Sequence, residues 1–150
     1  MKLQCTINDH PRDGYEFYDP ISNKDFNGNY MEMVHKYNEG DISEIYAPTL
    51  LNFINWNSML NMIKEFNQLI HMEGKLVLGG TDPYIMAKKL ISRDLNWEKY
   101  NELVFTSVGR KINFVPMPQL KEELAKYYKI QNISVDYKNF NYVITGERLG

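Results

Sequence analysis

From Ile42 to Leu78 the apolar positions of the chain change period twice, and each change marks an element. Ile42–Ala47 reads as a strand, closed by Pro48, which cannot join an interior ladder. Downstream, Trp56, Met59, Leu60, Ile63, Phe66 and Ile70 recur at three- and four-residue spacing, while Asn57, Asn61, Lys64, Glu65 and Gln68 take the other face. That period predicts an amphipathic helix with Asn55 as its cap. Gly74 is expected to close the helix in a left-handed conformation. Lys75–Leu78 follows as a near-continuous apolar run, the pattern of a parallel strand covered on both faces.

The flanks carry shorter signals. Lys2–Thr6 and Gly14–Tyr18 are strand candidates separated by the turn-rich Asn8, Asp9, His10, Pro11, Arg12 and Asp13. Too few residues lie between them for a helical crossover, so either the first helix shrinks to a turn or the pairing is unusual. Asn29–Tyr37 is a helix candidate ended by Asn38, Glu39 and Gly40. Asp82-Pro83 is a cap and first-turn signal for a helix through Tyr84, Ile85, Ala87, Leu90 and Ile91. Pro118 repeats it for Gln119–Tyr128, with Leu120, Leu124 and Tyr127 on one face. Asn132–Tyr137 and Phe140–Glu147 alternate in polarity about a tight Lys138-Asn139 turn, which predicts an antiparallel hairpin. Together these elements predict a single three-layer α/β domain over residues 1–150, its sheet mostly parallel with one reversed strand.

Composition narrows the function classes. With 150 residues, 43% of them apolar and 24% charged, the chain has material for one core and is globular in character. A net charge of -2 and a pI near 5.9 leave no basic face for a duplex nucleic acid, and the pairs Lys88-Lys89 and Arg110-Lys111 read as solvated surface. The single cysteine allows no internal disulfide, and the opening MKLQCTINDH has no apolar stretch of signal-peptide or membrane-span length. A cytoplasmic protein without a membrane or nucleic-acid partner is expected. The Asn, Lys, Ile and Tyr bias hints at an AT-rich, viral genome.

Taken together, several segments resemble the class I S-adenosylmethionine-dependent methyltransferases, and among them the small proteins with the pattern KLNLGCG, GYxNxD, DEIYAxHVLEHF and PGGKLxxSVPD. Lys2-Leu3-Gln4 stands for the opening, and Gly14-Tyr15 with Asp19 for the second piece. Ser43-Glu44-Ile45-Tyr46-Ala47 stands for the third, Gly74-Lys75-Leu76 with Thr81-Asp82 for the last, and Asn141-Tyr142-Val143-Ile144 for the final strand. The resemblance implies a Rossmann-like fold closed by the C-terminal antiparallel hairpin. It implies S-adenosylmethionine as cofactor, with Cys5, Thr6 and Ile7 facing its methionine part, Asp19 holding the ribose hydroxyls and Tyr46-Ala47 bordering the adenosine. A charged hydrogen bond of that kind is worth about 1.5–3 kcal/mol. Asp82, at the carboxyl end of a central strand, is the substrate-side candidate and equally a helix cap.

The departures from the pattern are as informative. Where the family has GCG, Thr6 and Ile7 are β-branched and disfavour positive φ. Where it has His-Val-Leu-Glu-His, this chain has Thr49-Leu50-Leu51-Asn52-Phe53, without imidazole or carboxylate. The stretch between Asp19 and Ser43 is short for a helix, a strand and an adenine-contact loop, so the sheet is expected to be one strand short. Cys5 with His10, His35 or His71 has neither nucleophile nor metal-ligand spacing, and no metal is expected. Tyr46, Trp56, Met59, Met62 and Met72 are cofactor-lining candidates whose helical spacing also suits a core. Gly79-Gly80 follows a strand but lacks the downstream lysine of a phosphate loop.

Two functions stay open. One is a methyltransferase-like protein that aligns an acceptor with the methyl group by proximity, its catalysis weakened or lost and its catalytic residues unassigned. The other is a pseudoenzyme, a non-catalytic scaffold that keeps the fold for a protein partner or a homo-oligomer, as in a virus-associated assembly. An open cleft beside Thr6, Asp19 and Ala47 favours the enzyme, and side chains filling it favour the scaffold.

Overall fold

The computed structural model describes residues 1–7, 9–19, 35–105 and 113–150, without the side chain of residue 105. Six strands and four helices follow one another along them: β1 (Lys2–Cys5), β2 (Glu16–Tyr18), β3 (Ile42–Ala47), a 3-10 turn (Leu50–Phe53), α1 (Trp56–Leu69), β4 (Ile70–Thr81), α2 (Pro83–Ile91), α3 (Trp97–Phe105), α4 (Met117–Ala125), β5 (Tyr128–Asp136) and β6 (Asn141–Arg148). The strands form one mixed sheet of order β2-β1-β3-β4-β6-β5. β1 pairs parallel with β2 and β3, β3 parallel with β4, and β6 antiparallel with both β4 and β5. The domain is thus α/β, a Rossmann-like arrangement with a C-terminal antiparallel hairpin.

Alternation along the strands divides the side chains between the two faces of the sheet. Leu3, Cys5, Ile45, Ala47, Leu76, Leu78, Tyr142 and Ile144 are buried in one cluster with Met59, Met62, Ile63 and Phe66 of α1 and Leu120 and Leu124 of α4. The opposite face carries Lys2, Gln4, Glu44, Tyr46, Lys75 and Val77, of which Gln4 alone is fully buried. A smaller cluster joins α2 and α3 through Met86, Leu95 and Phe140, with Tyr100, Leu103 and Val104 packed against it.

α1 begins where its cap signal places it, Asn55 accepting from Ser58 N–H at 2.9 Å. Its end differs from the expectation. The helix stops at Leu69, and Ile70 already pairs with Ile42 in the sheet. Gly74 is therefore no helix cap: it lies inside β4, and the left-handed residue is Glu73 at φ 65°. Between the pairs Ile42↔Ile70 and Glu44↔Lys75 the register shifts, and β4 absorbs the extra residues as a bulge. At Gly74 a Cβ would stand 2.5 Å from Ile70 Cγ2 and 2.8 Å from the His71 carbonyl, so close approach inside the bulge is what requires glycine there.

Other boundaries move as well. Helix α4 starts at Met117 and ends at Ala125, because Tyr128 has joined β5 opposite Arg148. β2 keeps only Glu16–Tyr18, with Gly14 in the preceding turn at φ 81°. The helix proposed for Asn29–Tyr37 falls largely outside the described residues, and its last part, from His35 to Tyr37, is turn or bend. α3 was not anticipated, although Asn96 accepts from Lys99 N–H at 2.8 Å in the manner of an N-cap. Met59 and Met62 belong to the core, whereas Met72 and Trp56 are exposed and contribute little to it.

Candidate functional site

In open α/β sheets ligands bind outside the carboxyl ends of the strands where the strand order reverses. Here the chain runs outward from β1 to β2 and then crosses back to β3, so that point is β1, flanked by β2 and β3. Thr6 N–H donates to the Tyr18 carbonyl at 3.2 Å, which carries the β1–β2 ladder one step past Cys5. Cys5, Thr6, Asp19 and Ala47 are brought together at these strand ends, all buried, with Ile7 and Tyr46 half-buried beside them. Asp82 belongs to the end of β4, on the far side of β3.

The loop leaving β1 is organised by a residue that sequence reasoning passed over. Gln4 is fully buried. Its amide Nε2 donates to Thr6 Oγ1 at 2.8 Å and to the His10 carbonyl at 3.0 Å, with Asp9 Oδ2 at 3.4 Å, while its Oε1 accepts from Arg12 N–H at 2.8 Å. One carboxamide thus ties Thr6, His10 and Arg12 back to its own strand. Thr6 and Ile7 need no left-handed geometry, since neither has positive φ. A polar residue inside the buried run Leu3-Gln4-Cys5 was the available signal, because a buried amide needs partners.

Arg12, held by that bond, lays its guanidinium 4.1 Å from the centre of the Tyr46 ring and 5.2 Å from that of Tyr15. Tyr15 donates to Glu44 Oε1 at 2.6 Å, and Lys2 lies 3.4 Å from Glu44 Oε2. Burial first, then the bond to Glu44, pushes the Tyr15 phenol up to about 12. Burial also pushes the Cys5 thiol well above its ordinary range, which keeps it protonated and unreactive. His10, His35 and His71 are exposed. Among the described residues no group of three His, Cys, Asp or Glu could hold a metal ion.

The turn after β3 is given over to packing. Leu50 and Leu51 enter the core, and buried Asn52 accepts from Thr81 N–H at 2.8 Å through Oδ1 and from Asn113 N–H at 3.2 Å through its carbonyl. Gly79-Gly80 serves this packing and is no phosphate loop. Both glycines lie in β4, and a Cβ on Gly79 would stand 2.1 Å from the Tyr142 carbonyl and 2.6 Å from that of Pro48. Asp82 is a double cap: Oδ1 accepts from Tyr84 N–H at 2.8 Å and Oδ2 from Met117 N–H at 3.3 Å, which ties the first turns of α2 and α4 to one carboxylate.

No family model and no curated protein matches the sequence. Solved structures do match. The 1,6-didemethyltoxoflavin-N1-methyltransferase of Burkholderia thailandensis, solved with S-adenosylhomocysteine, superposes at a TM-score of 0.62 with 9% identity, over 99% of this chain and 71% of that one. The fold is that of the class I methyltransferases. An S-adenosylmethionine-dependent methyltransferase of Mesorhizobium loti gives a TM-score of 0.54 at 12% identity, over 93% of this chain and 72% of that one. One from Archaeoglobus fulgidus gives 0.52 at 9%, over 89% and 67%. The chain spans 59% of a similar Pyrococcus horikoshii protein, at a TM-score of 0.55, 10% identity and 90% of this chain covered. Within this methyltransferase fold, no helix of the described residues is long and apolar enough to cross a membrane.

Proposed function

We propose that the chain is a methyltransferase-like protein that recognises S-adenosylmethionine at the carboxyl ends of β1, β2 and β3, with methyl transfer weakened or lost. Cofactor recognition is supported by the position of Asp19 at the end of β2, next to the β1 turn, with Ala47 of β3 on the other flank of β1. In this reading Asp19 holds the ribose hydroxyls, Cys5, Thr6 and Ile7 border the methionine part, and Tyr46-Ala47 borders the adenosine. The cofactor supplies the electrophilic methyl group, and the protein contributes binding and orientation.

The observation that carries the loss of transfer is the fate of the Pro48–Phe53 segment. It holds no titratable residue, its leucines are buried, and the two oxygens of Asn52 already accept from Thr81 and Asn113. Nothing in that segment can accept a proton from an acceptor substrate. A scaffold that keeps only the fold is the second reading, favoured by the burial of Thr6, Asp19 and Ala47 and by the Gln4 bonds that close the loop above them. A fold alone carries no function.

Calorimetric titration with S-adenosylmethionine and S-adenosylhomocysteine separates the two. The cofactor reading expects a Kd near or below about 100 μM, roughly -5.5 kcal/mol, and its loss in Asp19→Ala. Unchanged affinity in that variant removes Asp19 from the site. An absence of heat up to millimolar ligand leaves the scaffold, whose partner is then a protein or a second copy of the chain.

A further inference from the structure

We propose a second ligand site, for a small organic acid with an apolar body, in the cavity between α2, the start of α4 and the end of β5. The cavity measures about 730 Å³ and is walled by Tyr84, Ile85, Ile91, Met117, Val135 and Tyr137. Sites for small ligands run from about 300 to 1,000 Å³, with mostly apolar walls and a few polar groups that fix orientation. Three of the wall residues are far more exposed than side chains of their size usually are: Ile91 at 84%, Tyr137 at 63% and Tyr84 at 58%. Side chains that leave so much apolar surface in water around one depression mark a place where something docks.

Charge chooses the occupant. Lys88 and Lys89, adjacent in the last turn of α2, both line the cavity, against a single carboxylate, Asp82. The Asp82 oxygens already accept from Tyr84 N–H and Met117 N–H. Lys89 lies 3.9 Å from exposed Asp94, a loose pair, and Lys88 has no ion pair among the described residues. Lysines at a helix C-terminus complement the helix dipole, which explains cations there but not why both face one apolar cavity. An anionic head beside the two ammonium groups and an apolar body against the tyrosines and isoleucines satisfy the whole lining. No residue of β1, β2 or β3 lines this cavity, so the proposal stands whether or not the chain binds S-adenosylmethionine.

The test uses the full chain without cofactor and 8-anilinonaphthalene-1-sulfonate, an apolar aromatic sulfonate, as fluorescent probe. Saturable binding is expected, with displacement by decanoate and at least about tenfold weaker displacement by decylamine, which has the same chain and the opposite charge. The double variant Lys88→Gln/Lys89→Gln is expected to weaken decanoate at least tenfold, whereas Lys121→Gln/Lys129→Gln, at exposed lysines elsewhere, leaves it unchanged. Circular-dichroism melting confirms that both variants fold. Equal displacement by the amine, indifference to the Lys88 and Lys89 changes, or no probe binding each overturns the proposal. Stronger displacement by an acidic amphipathic peptide than by decanoate also overturns it and assigns the cavity to a protein partner.

Discussion

Replacing Gln4 by alanine should loosen the loop after β1 and cost the fold a measurable share of its stability. Three short hydrogen bonds leave with the carboxamide, to Thr6 Oγ1, the His10 carbonyl and Arg12 N–H. A net contribution of about 1 kcal/mol per bond gives roughly 3 kcal/mol. His10 and Arg12 are exposed and regain water, which lowers that sum, whereas Thr6 is buried and does not. The expected loss is about 2–3 kcal/mol, a large fraction of the roughly 5–15 kcal/mol a domain has. Gln4→Glu should cost more, since it keeps an acceptor for Arg12 N–H but loses the donor and sets a carboxylate near Asp9. Urea unfolding measures the loss, and hydrogen exchange at the Arg12 amide locates it. A change below about 0.5 kcal/mol with Arg12 protection intact would refute the idea that Gln4 holds this loop.

Two further outcomes follow from the geometry. Gly79→Ala pushes a Cβ against the Tyr142 and Pro48 carbonyls, neither of which can swing aside, so a loss of about 3 kcal/mol or more is expected in thermal or urea unfolding. A variant that melts like the parent would show that the strands are not so closely packed there. Tyr15 binds its proton more tightly folded than unfolded, so its contribution is fully present below pH 10, its ordinary value being 10.0, and is lost as pH rises toward about 12. Urea midpoints should fall across that window, and Tyr15→Phe should flatten the decline; an equally steep fall in the variant would assign it to other groups.

The elements legible in the sequence were those whose causes are local. Asn55, the period of Met59, Ile63 and Phe66, and the Asp82-Pro83 pair all act within a turn of where they stand, and the structure keeps them. Gly74 does not cap α1 because the end of that helix is decided by the pairing of Ile70 with Ile42, which no local signal reveals. The need for glycine at position 79 comes from carbonyls on Pro48 and Tyr142, far away in the chain. That Asp19, Thr6 and Ala47, residues of the candidate site, stand at strand ends could be read from the strand pattern. The role of Gln4 depends on a loop shape that exists only once β1 and β2 are paired, and its buried polarity was the one hint in the sequence.

The shared carboxylate of Asp82 also determines where this domain can change length. The chain leaves Asp82 into α2 and returns to it at Met117, 35 residues on, so both ends of the excursion are fastened to one point at the end of β4. Tyr142 fixes the returning strand of chain again by donating to the Val115 carbonyl at 2.6 Å. A loop whose ends are pinned together can grow or shrink at small entropic cost without disturbing what it is pinned to. Residues added beyond Ile91 and before Val115 should leave the sheet as it is, whereas removal would take away Leu95 and Tyr100 of the smaller cluster or the Asn113 N–H bonded to the Asn52 carbonyl. That makes this excursion a place where the chain can gain length while keeping the same framework.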